Sequence, residues 1–96
     1  MTLREVIGNV ENLSDDLTIY ATKEMEWDID APAALVLSSD TEEIGIRFED
    51  LSYFLEVEIA KEVLSVWSEW RNGTNPNELE RIEALIYYAD NDAYIG

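Results

Sequence analysis

The stretch from Ser52 to Gly73, SYFLEVEIAKEVLSVWSEWRNG, carries two competing periodicities, and the choice between them decides the fold. Leu51, Tyr53, Leu55, Val57 and Ile59 recur at every second position, as they would on a half-buried strand. From Ala60 onward the alternation fails. Placed on a helix, Tyr53, Val57, Ile59, Ala60, Val63, Leu64, Val66, Trp67 and Trp70 share one broad arc. Glu58, Lys61, Glu62, Ser65, Ser68 and Glu69 share the other. The longer pattern favours helix from about Leu51 to Arg71, with Gly73 near its stop. Glu49 and Asp50 then precede the helix, where its dipole favours negative charge. Trp67 and Trp70 are expected in the core, with Arg71 one turn on from Trp67 and able to stack on it.

On that reading Glu56 falls inside the apolar arc, about one turn from the helix start. Three accounts of it stay open. It snorkels at the helix entrance, it pairs with a base such as Arg4, Arg47 or Arg81, or it is a carboxylic acid with a raised pKa. No second catalytic group stands near it in the sequence to support the third.

Upstream, Thr2-Leu3-Arg4-Glu5 reads as a capping box. Leu3, Val6, Ile7, Val10 and Leu13 follow at helical spacing, and Gly8 among them suggests close contact with a neighbour. LTIYATK, residues 17–23, has the two-residue period of a strand. AALVLSS, residues 33–39, reads as a second strand entered after Pro32. Ile44, Ile46 and Phe48 suggest a short third. The connections are too short for parallel crossovers, so the strands are expected to be antiparallel. The last helix is expected to start with Asn75 as cap, Pro76 at the first helical position and Glu78 closing a capping box. Leu79, Ile82, Leu85, Ile86 and Ala89 form its apolar stripe, and Tyr87 and Tyr88 fall toward the other side.

These elements make one α+β domain over residues 1–96. Its small two- or three-stranded antiparallel sheet is packed by three helices, in the order α-β-β-(β)-α-α. A chain of 96 residues buries roughly 60–65% of its unfolded surface, enough for one core. Leu, Ile, Val and Phe make up more than a quarter of it, above the roughly one-fifth below which highly charged chains stay disordered.

The charge is the outstanding property: 22 acids against 6 bases, a formal net charge of −16. Solubility needs only about 2–8 charges of one sign in a small domain, and the excess repels itself at some cost in stability. Nucleic acid is disfavoured as a direct ligand, since binding it requires cations to displace counterions. An anionic membrane surface is disfavoured likewise. A basic protein surface is the favoured partner, and a purely solvating role for the acids is the plain alternative.

The chain has no cysteine and no histidine, which removes thiolate chemistry, the commonest general base and the commonest zinc ligand. No glycine-rich phosphate loop follows a strand, and the serines have no activating base. An enzyme is therefore not expected, nor is a cofactor or metal. Asp90-Asn91-Asp92 resembles the opening of a calcium loop but lacks the later glycine and glutamate. MTLREVIGNVENL is too broken by charge for a signal peptide, and no apolar run approaches the ~20 residues of a membrane span. The expected location is cytoplasmic.

EMEWDID is the most unusual segment. Glu24, Glu26, Asp28 and Asp30 alternate with Met25, Trp27 and Ile29. If extended, the carboxylates form a row about 6.5–7 Å apart, too wide for one strand to wrap a calcium ion but suited to cationic groups. The apolar row would anchor it from behind. The plain alternative is a solvated hairpin loop with Trp27 tucked into the core. Tyr87 and Tyr88 are candidate interface anchors, unless Tyr94 and Ile95 fold back over them. The candidate partner-binding set is thus Glu24, Glu26, Trp27, Asp28, Asp30, Tyr87 and Tyr88.

The run Tyr53-Phe54-Leu55-Glu56-Val57, with Ile59-Ala60, Glu62, Leu64 and Trp67, resembles a small bacterial family of uncharacterised acidic proteins. TLREVI, LTIYATK and IYYADNDA are similar to it as well. The resemblance implies a compact α+β domain and a bacterial source, and brings no activity or site residues with it.

The expected function is an acidic binding protein presenting carboxylates to a basic protein partner, as an immunity protein, an antitoxin-like inhibitor or a nucleic-acid mimic does. The alternative is a homo-oligomeric structural or regulatory subunit built on Tyr87, Tyr88 and the tryptophan helix.

Overall fold

The computed structural model describes residues 1–39 and 50–96. Helix α1 spans Leu3–Gly8 and a 3-10 turn spans Val10–Asn12. Strands β1 (Leu17–Ala21), β2 (Ala33–Leu37) and β3 (Ser52–Glu56) precede helices α2 (Val57–Glu69) and α3 (Glu78–Asn91). The class is α+β in the expected order, with an antiparallel sheet ordered β2-β1-β3.

The opening stretch contains both of its periodicities. Residues 52–56 are strand and helix begins at Val57, which corrects the expectation of helix from Leu51. The alternation from Leu51 is a true strand signal, outweighed by the longer helical pattern that follows it, and a bulge changes which of its side chains turn inward. Ile19 pairs with Leu55 and Tyr20 with Tyr53, so Phe54 is the extra residue. A bulge turns two successive side chains toward one face. Phe54 and Leu55 accordingly both enter the core, at 1% and 3% exposure, while Tyr53 stays half-exposed. The strand expected over Ile44, Ile46 and Phe48 lies outside the described residues.

Central strand β1 is covered on both faces. Ile19 and Ala21 join the core made by Leu3, Val6, Phe54, Val63 and Leu85. On the opposite face Tyr20 meets Tyr53 edge to face at 6.0 Å. Thr18 is buried there, and its hydroxyl shares a 2.7 Å hydrogen bond with the Ser38 hydroxyl. Helix α2 packs on β1 and β3 and against α3, which also contacts α1. Its inward face is Val57, Ala60, Val63, Leu64 and Trp67. Trp70 is 57% exposed, contrary to expectation, because it lies at the C-cap, past the packed part of the arc. Arg71 stacks over Trp67, its guanidinium 4.2 Å from the ring centre. Asn72 and Gly73 have positive φ, and the Gly73 N–H donates back to the Ser68 carbonyl at 2.8 Å, which closes the helix.

The Thr2–Glu5 capping box is present. Helix α1 stops at Gly8, however, sooner than the apolar spacing to Leu13 suggested. Gly8 has open space where a Cβ would sit, so the expected close contact is absent and its effect is to weaken the helix locally. The cap of α3 is Asn77 with Glu80, two residues later than the expected Asn75 with Glu78. The later box satisfies the N-terminal amides and leaves Leu79 exposed, outside the stripe of Ile82, Ala84 and Leu85.

Candidate functional site

The segment between β1 and β2 is a turn rather than an extended edge. Lys23 bridges Trp27. The Asp28 N–H donates to the Thr22 carbonyl at 3.0 Å and the Glu24 N–H to the Glu26 carbonyl at 3.3 Å. Of the two readings of this segment, the extended row of carboxylates backed by an apolar row does not form, and the hairpin loop with Trp27 against the core is the one found. Met25 is 93% exposed at the tip, while Trp27 and Ile29 pack against the core. Reversal at the tip wins because it pairs backbone amides and lets the large indole bury its edge.

Two tethers hold this loop. On one side the Trp27 indole meets Phe54 edge-on at 4.9 Å, and its Nε1–H donates to Asp90 Oδ1 at 3.0 Å. Lys23 Nζ lies 3.3 Å from the same oxygen and 4.9 Å from the indole centre. On the other side Arg4 Nε donates to Asp30 at 3.0 Å and Nη1 to Glu78 at 2.7 Å. Its neighbours hold the Arg4 guanidinium firmly protonated, through the Asp30 and then the Glu78 hydrogen bond. The Arg4 N–H also donates to the Ile29 carbonyl and the Ala33 N–H to the Met1 carbonyl.

Of the candidate residues, Glu24, Glu26 and Asp28 are exposed. Together with Met25, Trp27 and Ile29 they line an open depression of about 580 Å³. Asp28 also accepts from the Asp30 N–H at 3.0 Å. Asp30 is engaged by Arg4, and Trp27 is half-buried as an anchor. Tyr87 is 39% exposed. Tyr88 packs on the core and against Tyr94 at 5.4 Å, so the tail folds back over Tyr88. The Asp90 contacts bring the loop to the end of the helix that carries both tyrosines.

Glu56 closes β3 and stands at the N-cap of α2, where its side chain makes no capping bond. It is half-buried and faces an open depression with Asp15, Asp16, Leu37 and Glu58. Two of its expected partners are engaged elsewhere: Arg4 as above, and Arg81 by Glu11 and the Ile7 carbonyl; the third, Arg47, lies outside the described residues. Burial first, and the Glu56 charge second, push the Tyr20 and Tyr53 phenols above their ordinary range.

Asp90 is the residue that sequence reasoning missed. It stands in a weak calcium-like run, and nothing local marks it as the acceptor for an indole and an ammonium 63 and 67 residues away. Among the described residues no three carboxylates are placed to hold a metal ion together. No helix of the described residues is long and apolar enough to cross a membrane.

Fold and composition together define a small, strongly acidic α+β domain. The chain belongs to a family described as a domain of unknown function, DUF7716, whose model matches residues 1–96. No curated protein and no solved structure matched it.

Proposed function

We propose that this domain is a cytoplasmic binding protein, not an enzyme, that presents a carboxylate-rich surface to a basic protein partner. An immunity or antitoxin-like inhibitor, or a nucleic-acid mimic, is the form of activity that suits it, in the bacterial host its family resemblance implies. The observation that carries this reading is the disposition of charge. Each of the five bases among the described residues is engaged inside the chain. Arg4, Lys23, Lys61 and Arg81 pair with carboxylates, and Arg71 lies on Trp67. The exposed Glu24 and Glu26 flank an exposed Met25 and pair with no base among the described residues. A negative field with an adaptable apolar tip supplies steering and a contact point to a cationic surface.

Capture from the source cell at low salt, followed by stopped-flow measurement on the purified pair, tests this. The expected partner is basic, and association slows steeply as salt rises. Replacing Glu24, Glu26 and Asp28 with the corresponding amides lowers the association rate and flattens its salt dependence. Failure to recover a basic partner, or association indifferent to salt, defeats the proposal.

A homo-oligomer is the second reading, favoured by the exposure of Trp70 and Tyr87. It must overcome repulsion between two chains of −16 each. A monomer at high concentration in sedimentation removes it.

A further inference from the structure

The chain has three tryptophans, and two of them already hold a cation of the same chain. Lys23 Nζ sits 4.9 Å from the Trp27 ring centre and 3.3 Å from Asp90. The Arg71 guanidinium sits 4.2 Å from the Trp67 ring centre and donates to the Trp67 carbonyl at 3.1 Å. The third indole, Trp70, is 57% exposed and holds no cation among the described residues. Tyr94 meets the Trp70 ring edge-on at 5.8 Å, and the Tyr94 hydroxyl donates to Glu62 Oε1 at 3.1 Å, which fixes a carboxylate beside the Tyr94 hydroxyl. Trp70 caps the C-terminal end of α2, an end that attracts positive charge and where the Arg71 guanidinium already donates to the Trp67 carbonyl.

We propose that Trp70, with Tyr94 and Glu62, is the seat for an arginine side chain of the basic partner. The guanidinium stacks on the exposed indole, and the Glu62 carboxylate, held by the Tyr94 hydroxyl, adds to the negative field around it. Arginine fits better than lysine because its planar, weakly hydrated cation stacks on an aromatic face. This assignment rests on the reading that the partner is basic, and names one place where it engages. Charge selects this occupant over a second copy of the chain, which would bring −16 of its own to the same surface.

Titration with a hexa-arginine peptide at low salt, followed by the indole N–H resonances, tests it. The Trp70 resonance should move, W70A should weaken binding about fivefold, and W70F and E62Q should each weaken it less. Hexa-lysine should bind less tightly than hexa-arginine to the parent and about equally to W70A. Trp70 is exposed, so W70A should keep the parent circular dichroism spectrum. If W70A binds hexa-arginine as tightly as the parent while the triple amide variant at Glu24, Glu26 and Asp28 does not, the basic-partner reading stands and the Trp70 assignment falls. If the parent ignores the peptide altogether, both fall. A dimer that W70A abolishes would give this surface to a second copy and overturn the assignment.

Discussion

The Trp27 indole N–H donates to the Asp90 carboxylate at 3.0 Å, joining the acidic loop to the far end of the last helix. Lys23 reaches the same oxygen, so one carboxylate satisfies two donors from the base of the loop. The loop is thereby fixed relative to Tyr87 and Tyr88, which lie one turn or less before Asp90 on α3. Its exposed tip, Glu24-Met25-Glu26, stands on a braced platform, and bracing lowers the ordering cost of any contact made there.

Removing that acceptor should loosen the loop. D90A is expected to destabilise by about 1 kcal/mol. The loss of charge-assisted hydrogen bonds is partly offset because alanine is the better helix former and an acid is unfavourable near a helix C-terminus. D90N, which keeps an acceptor for the indole, should cost less. Urea unfolding measures both, and faster hydrogen exchange at the Trp27 indole N–H in D90A should accompany the change.

The Arg81–Glu11 pair gives the fold a dependence on acid. Arg81 is nearly covered and binds both Glu11 oxygens as well as the Ile7 carbonyl. The Arg81 hydrogen bonds hold the Glu11 carboxyl below its ordinary value. A depressed carboxylate contributes stability that is fully present above the unfolded value, about 4.3, and is lost as pH falls through the lower folded value. E11Q should destabilise by about 1 kcal/mol at neutral pH, a modest figure because Glu11 is more than half exposed to solvent. Unfolding curves of parent and E11Q should converge as the pH falls below 4.3.

At the alkaline end the tyrosines act. The Tyr20 and Tyr53 phenols are raised, first by burial and then by Glu56. A raised phenol favours folding below the unfolded value of about 10, and that contribution is lost as pH rises toward the folded value. E56Q should lower the midpoint of phenolate absorbance without bringing it fully to the free value, since burial persists. An unchanged midpoint would separate Glu56 from these rings.

The two candidate caps of α3 are separable. N77A should cost about 1 kcal/mol, the usual loss for a capping side chain, because Asn77 accepts from the Glu80 N–H at 2.9 Å. N75A should stay within about 0.5 kcal/mol of the parent. Equal effects in thermal unfolding would contradict the observed helix start.

Sequence by itself determined the class of this protein. The Thr2–Glu5 box, the alternation of LTIYA and the spacing from Val57 to Trp67 each encode local structure through neighbours in the chain, and local patterns are readable one residue at a time. The charge is likewise a sum over residues and needs no fold. Tertiary structure decided the rest. The bulge at Phe54 turns Phe54 and Leu55 inward and leaves Tyr53 half-exposed, because the core, rather than strand periodicity, selects which side chains turn inward. The same core decides between the two readings of the acidic segment, extended edge or hairpin loop, in favour of the loop, by giving Trp27 a ring to meet and Asp90 as an acceptor. The Trp27–Asp90 contact joins residues more than sixty positions apart, and no spacing along the chain records it.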